Sequence, residues 1–164
     1  MSHQPVIDGF EFASAGATQR GILPVRELSR LRDLLASDAG EVAYEVEGMR
    51  DARGRPSLRV AVRGILRLRC QRCLEALPYA MEAEEILVLA ATQAEIDAEL
   101  PDANAPDRVL AGKAMALRDM VEDELILALP YAARHEDCAA EGATGRHGTR
   151  SPFAGLRSMI RGKH

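Results

Sequence analysis

The stretch "CQRCLEALPYA" at 70–80 places Cys70 and Cys73 with two residues between them, and "RHEDC" at 134–138 adds His135 and Cys138 at H-x-x-C spacing. Thiolate and imidazole are the tetrahedral ligands that zinc favours, and a CxxC on a turn delivers two of them from one loop. The four residues therefore form a candidate Cys3His set for a structural zinc. Two other readings use the same side chains. Cys70 falls on the apolar face of its segment, where a free cysteine behaves as a small hydrophobe. A dithiol redox centre would use Cys70 and Cys73, although the surrounding pattern is not βαβ.

The elements that must position these residues are visible as changes of period. "EVAYEVEG" at 41–48 alternates Val42, Tyr44 and Val46 against Glu41, Ala43, Glu45 and Glu47, the period of a half-buried strand. "RDARGRP" at 50–56 is turn chemistry. "SLRVAVRGILRLRC" alternates again, with Leu58, Val60, Val62, Leu66, Leu68 and Cys70 on one face and Arg59, Arg63, Arg67 and Arg69 on the other. Gly64 within it marks a bulge or a close approach. "YAMEAEEILVLA" reads as a third strand, so the CxxC sits between two strands of an antiparallel meander. Two helices are expected to pack on the sheet. One covers 24–36, "PVRELSRLRDLLA", with Pro24 in its first turn. The other lies within "GKAMALRDMVEDELILALP", with Leu117, Val121, Leu125 and Ala128 on its apolar face and Pro130 ending it. Between them, "TQAEIDAELPDANAPDR" at 92–108 reads as an acidic loop.

The expected class is thus α+β: an antiparallel meander of three or four strands, two packed helices, an acidic loop and a basic C-terminal tail. The chain of 164 residues suits one domain at 24–141, preceded by a partly ordered segment at 1–23 and followed by the tail at 142–164. No run approaches the roughly 18 apolar residues needed to span a bilayer. The start, "MSHQPVIDGFEF", lacks the charged and apolar regions of a secretion signal. Three cysteines, an odd number, fit a disulfide framework poorly, so the thiols are expected to be reduced and the compartment cytoplasmic. Aromatic residues are scarce at 4% and Trp is absent, which weakens any platform of stacked bases.

Formal net charge is -4, so the field of the whole protein does not attract nucleic acid. Local charge is distributed differently. The arginine strand lies between strands carrying Glu41, Glu45 and Glu47 on one side and Glu82 and Glu84 on the other, which predicts cross-strand ion pairs. Arg69 and Arg72, near the turn, are expected to stay unpaired. Glu122 and Asp123 are expected on a solvated helix face, whereas Glu124 projects into the apolar stripe and must find a donor or raise its pKa. No nucleophile and no phosphate-cradling glycine loop accompanies these acids, so no enzyme signature emerges. Residues 144–164 contain five Lys or Arg and no acid. Within them "SPFAGLRSMIRGKH" spaces Phe153, Leu156, Met159 and Ile160 as a short amphipathic helix, capped by Ser151 and opened by Pro152. It either docks on its own sheet or folds onto RNA or a protein partner.

In order, "CQRCLEAL", "MVEDELILALP", "RHEDC" and "SPFAGLRSMIR" resemble the bacterial YceD family, the large ribosomal RNA subunit accumulation proteins. The resemblance covers roughly 20–161 and rests on the CxRCL strand end, the D-x-x-E-D-E-like helix running into "LALP", and an NPFAxL-like tail in which Ser151 replaces Asn. It implies a non-enzymatic role in ribosome biogenesis, through engagement of a large-subunit ribosomal RNA precursor or of a ribosomal or assembly protein. It supplies no catalytic residues and leaves the three readings of the cysteines open. In that setting Arg69, Arg72, Arg150, Arg157, Arg161 and Lys163 are the candidate RNA contacts, and Phe153, Leu156 and Ile160 the candidate docking residues. The alternative is an acidic adaptor that holds a basic partner without touching RNA.

Overall fold

Alternation of apolar and polar residues carries through to the tertiary structure, a computed structural model that describes residues 5–98 and 105–138. Three long strands, β4 (Glu41–Arg50), β5 (Pro56–Arg69) and β6 (Ala76–Ala90), form the antiparallel meander. Their inward residues, among them Val42, Val46, Leu58, Val60, Val62 and Leu66, are buried, as period-2 patterning requires when one face is covered. The β4–β5 turn is tied by Asp51, whose Oδ1 accepts from the amides of Arg53 (2.9 Å) and Arg55 (2.8 Å), with Gly54 supplying the positive φ of +77°. Gly64 pairs with Val42 in unbroken register. A Cβ there would stand 2.9 Å from the Glu41 carbonyl oxygen, so the glycine serves a close approach and not a bulge.

The sheet is wider than the meander. β2 (Thr18–Pro24) pairs antiparallel with β4, β7 (Arg108–Leu110) adds in parallel to β6, and β3 (Leu35–Ser37) pairs with the end of β5, giving six strands. The expected N-terminal segment therefore contributes β2 to this sheet. It also supplies β1 (Val6–Ile7), paired with β8 (Met115–Ala116), and α1 (Gly9–Ala15). Asp8 caps α1 by accepting from the Glu11 amide at 3.1 Å. Within the expected acidic loop lies a short helix, α2 (Gln93–Asp97), capped by Thr92; residues 99–104 lie outside the described part. No helix among the described residues is long and apolar enough to cross a membrane.

The helix expected over 24–36 does not form. Pro24 closes β2 opposite Glu41, and two 3-10 turns, Val25–Glu27 and Arg32–Leu34, lead into β3. Of the apolar residues that suggest helical period, Val25, Leu28, Leu31 and Leu35 are buried and Leu34 is exposed, and tight turns deliver the buried four. The competing interaction comes from α3 (Leu117–Ala128). The Glu122 carboxylate accepts from the backbone amides of Arg30 and Leu31, the latter at 3.1 Å, and from Arg30 Nε at 3.1 Å. These amides are thereby held outside any helical ladder. Glu122 is accordingly buried at 2% exposure, which corrects its expected place on a solvated face. Asp123 is exposed and pairs with the Arg30 guanidinium.

Helix α3 packs its Leu117, Val121 and Leu125 onto the sheet, and Pro130 follows its end. The chain then turns back toward the β5–β6 connection, which places the second pair of candidate ligands beside the first.

Candidate metal centre and the open face of the sheet

The β5–β6 connection is a knuckle. Cys70 follows β5, its amide donating to the Glu75 carbonyl at 2.9 Å, and the Leu74 amide donates back to the Cys70 carbonyl at 2.9 Å. Leu74 sits at φ +64°, a left-handed conformation that costs a non-glycine residue roughly 1–2 kcal/mol. The Gln71 amide reaches across to the Ala133 carbonyl at 2.9 Å, which fixes the 131–138 segment against the knuckle.

That juxtaposition brings Cys70, Cys73, His135 and Cys138 together, their ligand atoms all within 4.8 Å of one another. Cys70 Sγ lies 3.5 Å from Cys138 Sγ, and Cys73 Sγ lies 3.4 Å from His135 Nδ1. Ligands of a tetrahedral zinc with Zn–S near 2.3 Å stand roughly 3.5–3.8 Å apart, so the arrangement has the dimensions of a closed four-ligand site. Second contacts orient the ligands. His135 Nε2 lies 3.2 Å from the Ala76 carbonyl oxygen; a carbonyl only accepts, so Nε2 carries the proton and Nδ1 presents its lone pair to the sulfurs. Burial opposes ionisation of Cys70, but the amides of Cys73, His135 and Arg72, with the Cys138 thiol, bring its pKa down to about 5. Cys138 is pushed up by burial and by its neighbours Cys70 and Cys73. One thiolate is stabilised by backbone dipoles while the next is discouraged by the first. A cation at the centre would relieve that repulsion.

The outer face of the sheet divides into two unlike halves. Arg59 donates to Glu45 (3.0 Å), Glu47 and Glu84 (3.0 Å), and Arg20 on β2 adds a further pair to Glu45. Cross-strand neutralisation is thus realised at this end. Beyond Glu82 the acids on β6 run out. Arg67 lies opposite Pro78 and Ser37, and Arg69 opposite Ala76. Arg63, Arg67, Arg69 and Arg72 are exposed. Arg63 has Glu82 across the strand pair, yet the guanidinium of none of the four makes a hydrogen bond or ion pair among the described residues. Arg150, Arg157, Arg161, Lys163, Phe153, Leu156 and Ile160 lie outside the described residues. Sequence reasoning misses Arg20, because its strand falls in the expected N-terminal segment and Thr18–Pro24, whose first three residues are all exposed, carries no sustained alternation to signal a strand.

Glu124 is buried and has no hydrogen-bond partner among the described residues, so the expected donor is absent there. Burial, then Glu85, Asp107 and Asp123, raises its pKa from 4.5 to about 7. The folded state then holds the proton more tightly than the unfolded chain between pH 4.5 and 7, and stability falls as pH rises through that window. Glu124→Gln is expected to stabilise the protein by about 1–3 kcal/mol at pH 8, with the difference vanishing below about pH 4.5. Urea titrations of both proteins at about pH 4 and pH 8 would measure it, and equal gains at both values would contradict the assignment.

A family model described as "Large ribosomal RNA subunit accumulation protein YceD" matches residues 58–157. The match begins on β5 and takes in both pairs of candidate ligands. No curated protein and no solved structure matches the chain significantly.

Proposed function

Since the chain belongs to the YceD family, we propose that it is a non-enzymatic ribosome-biogenesis factor acting in the cytoplasm, which supports accumulation of large-subunit ribosomal RNA by engaging the precursor RNA directly. The observation that carries this reading is the division of the outer face: Arg59 is surrounded by glutamates, while Arg63, Arg67, Arg69 and Arg72 are open to solvent. Arg67 and Arg69, two positions apart on β5, stand roughly 6.6 Å from each other, and Arg63 lies roughly 13 Å before Arg67, a spacing suited to the phosphates of an RNA backbone. Phosphate contact without base readout fits a chain poor in aromatic residues. A structural zinc on Cys70, Cys73, His135 and Cys138 would fix the knuckle that carries Arg72. Arg150, Arg157, Arg161 and Lys163 add cations from the tail.

In-cell ultraviolet crosslinking with sequencing of the attached RNA tests the reading. The expected result is enrichment of large-subunit ribosomal RNA, with crosslinked peptides around 63–72 or in the tail. In vitro, replacing Arg67 and Arg69 by Gln is expected to weaken RNA binding across sequences. The slope of log affinity against log salt should become shallower by about 0.7 for each phosphate no longer neutralised. No crosslinked ribosomal RNA and an unchanged slope would favour the second reading, an adaptor for a basic protein. The net charge of -4 and the acids Glu75, Glu136 and Asp137 around the knuckle speak for that alternative.

A further inference from the structure

We propose that the C-terminal segment of this chain docks, through Phe153, Leu156 and Ile160, into an apolar groove at the end of α3. The groove has a volume of about 330 Å³ and is lined by Leu34, Leu68, Ile126, Leu129, Tyr131 and Ala133. Leu34 is 47% exposed and Tyr131 fully exposed. Apolar side chains gathered around one concavity at the surface mark a docking site, where singly scattered ones would not.

Reach, pattern and charge select the occupant. Ala133 lines the groove, and five residues further on the chain stands at Cys138 beside the knuckle. The residues between Cys138 and Phe153 can extend roughly 50 Å, far more than the return path requires. Phe153, Leu156 and Ile160 recur at i, i+3 and i+7, which lays one apolar stripe along a helix and turns Arg161 off it. Helix α3 has no basic residue in its last turn, so its terminal carbonyls favour a nearby cation; Arg69, which also lines the groove, offers one, and Arg157 and Arg161 would add to it. The family match runs to residue 157, so Phe153 and Leu156 fall within the same shared unit as five of the six groove residues named. Docking of this kind does not depend on RNA binding.

Replacing Phe153 by the photoreactive p-benzoyl-phenylalanine in the full-length chain, and irradiating it without RNA, tests the proposal. Crosslinks within one chain to peptides containing 126–133, 68 or 34 are expected, at a yield independent of protein concentration. Tyr131→Asp, which alters a fully exposed side chain and leaves the core intact, is expected to reduce that yield severalfold. Crosslinks to another surface, crosslinks between chains that rise with concentration, or no crosslink at all would each overturn it.

Discussion

Purified under reducing, chelator-free conditions, the protein is expected to carry about one zinc per chain, and Cys73→Ser to carry none. The distances support that ratio: four ligand atoms within 4.8 Å of one another describe a single closed site, with no fifth group among the described residues. Elemental analysis of the wild type and the variant gives the answer directly. The structural consequence should be large. The knuckle holds a left-handed Leu74 and brings the Cys138 thiol against Cys70 and Cys73, which oppose its ionisation, and without a cation both costs remain. Removing zinc is expected to release residues 131–138 from Gln71, seen as faster amide exchange at that hydrogen bond, and to lower stability by several kcal/mol. That is less than the roughly 10–16 kcal/mol of isolated zinc-finger peptides, because the six-stranded sheet has its own core. Metal-free wild type with full stability would leave the cluster as plain thiols.

Glu122→Ala is expected to destabilise the fold by about 3–5 kcal/mol, lowering the melting temperature by on the order of 10 °C. The carboxylate is buried and serves three donors at once: the amides of Arg30 and Leu31 and the Arg30 guanidinium. Truncation leaves two backbone amides without their acceptor and loosens the two 3-10 turns from α3. Each unsatisfied buried donor costs roughly 1–3 kcal/mol. Glu122→Gln keeps a carbonyl acceptor of the same shape and should cost less than half as much. Asp123→Ala, at an exposed pair to the same arginine, should cost under about 1 kcal/mol. Thermal and urea unfolding of the three variants gives the ranking. Equal losses for Glu122→Ala and Asp123→Ala would remove the buried carboxylate from its structural role.

The strands were legible because alternation is a local property: Val42 to Val46 and Leu58 to Leu68 declare their buried face without reference to any partner. The same holds for α3, where the apolar spacing from Leu117 to Ala128 and the following Pro130 are enough to define a helix and its end. The cysteines were half legible. The sequence names the residues able to ligate a metal, but Cys73 and His135 are separated by 62 residues along the chain. Only the return of the chain after α3 and the Gln71–Ala133 hydrogen bond bring them into reach. For residues 24–36 the sequence misleads, because helical spacing of Val25, Leu28, Leu31, Leu34 and Leu35 is equally compatible with tight turns that bury all of these but Leu34. A carboxylate from a distant helix, Glu122, competes for the amides of that stretch and decides between the two. The charge pattern shows the same division. Sequence alone determined that the central strand is basic and its neighbours acidic. Register decided that Arg59 meets three glutamates while Arg67 and Arg69 face proline, serine and alanine, since electrostatic pairing acts between side chains that only the folded sheet makes neighbours.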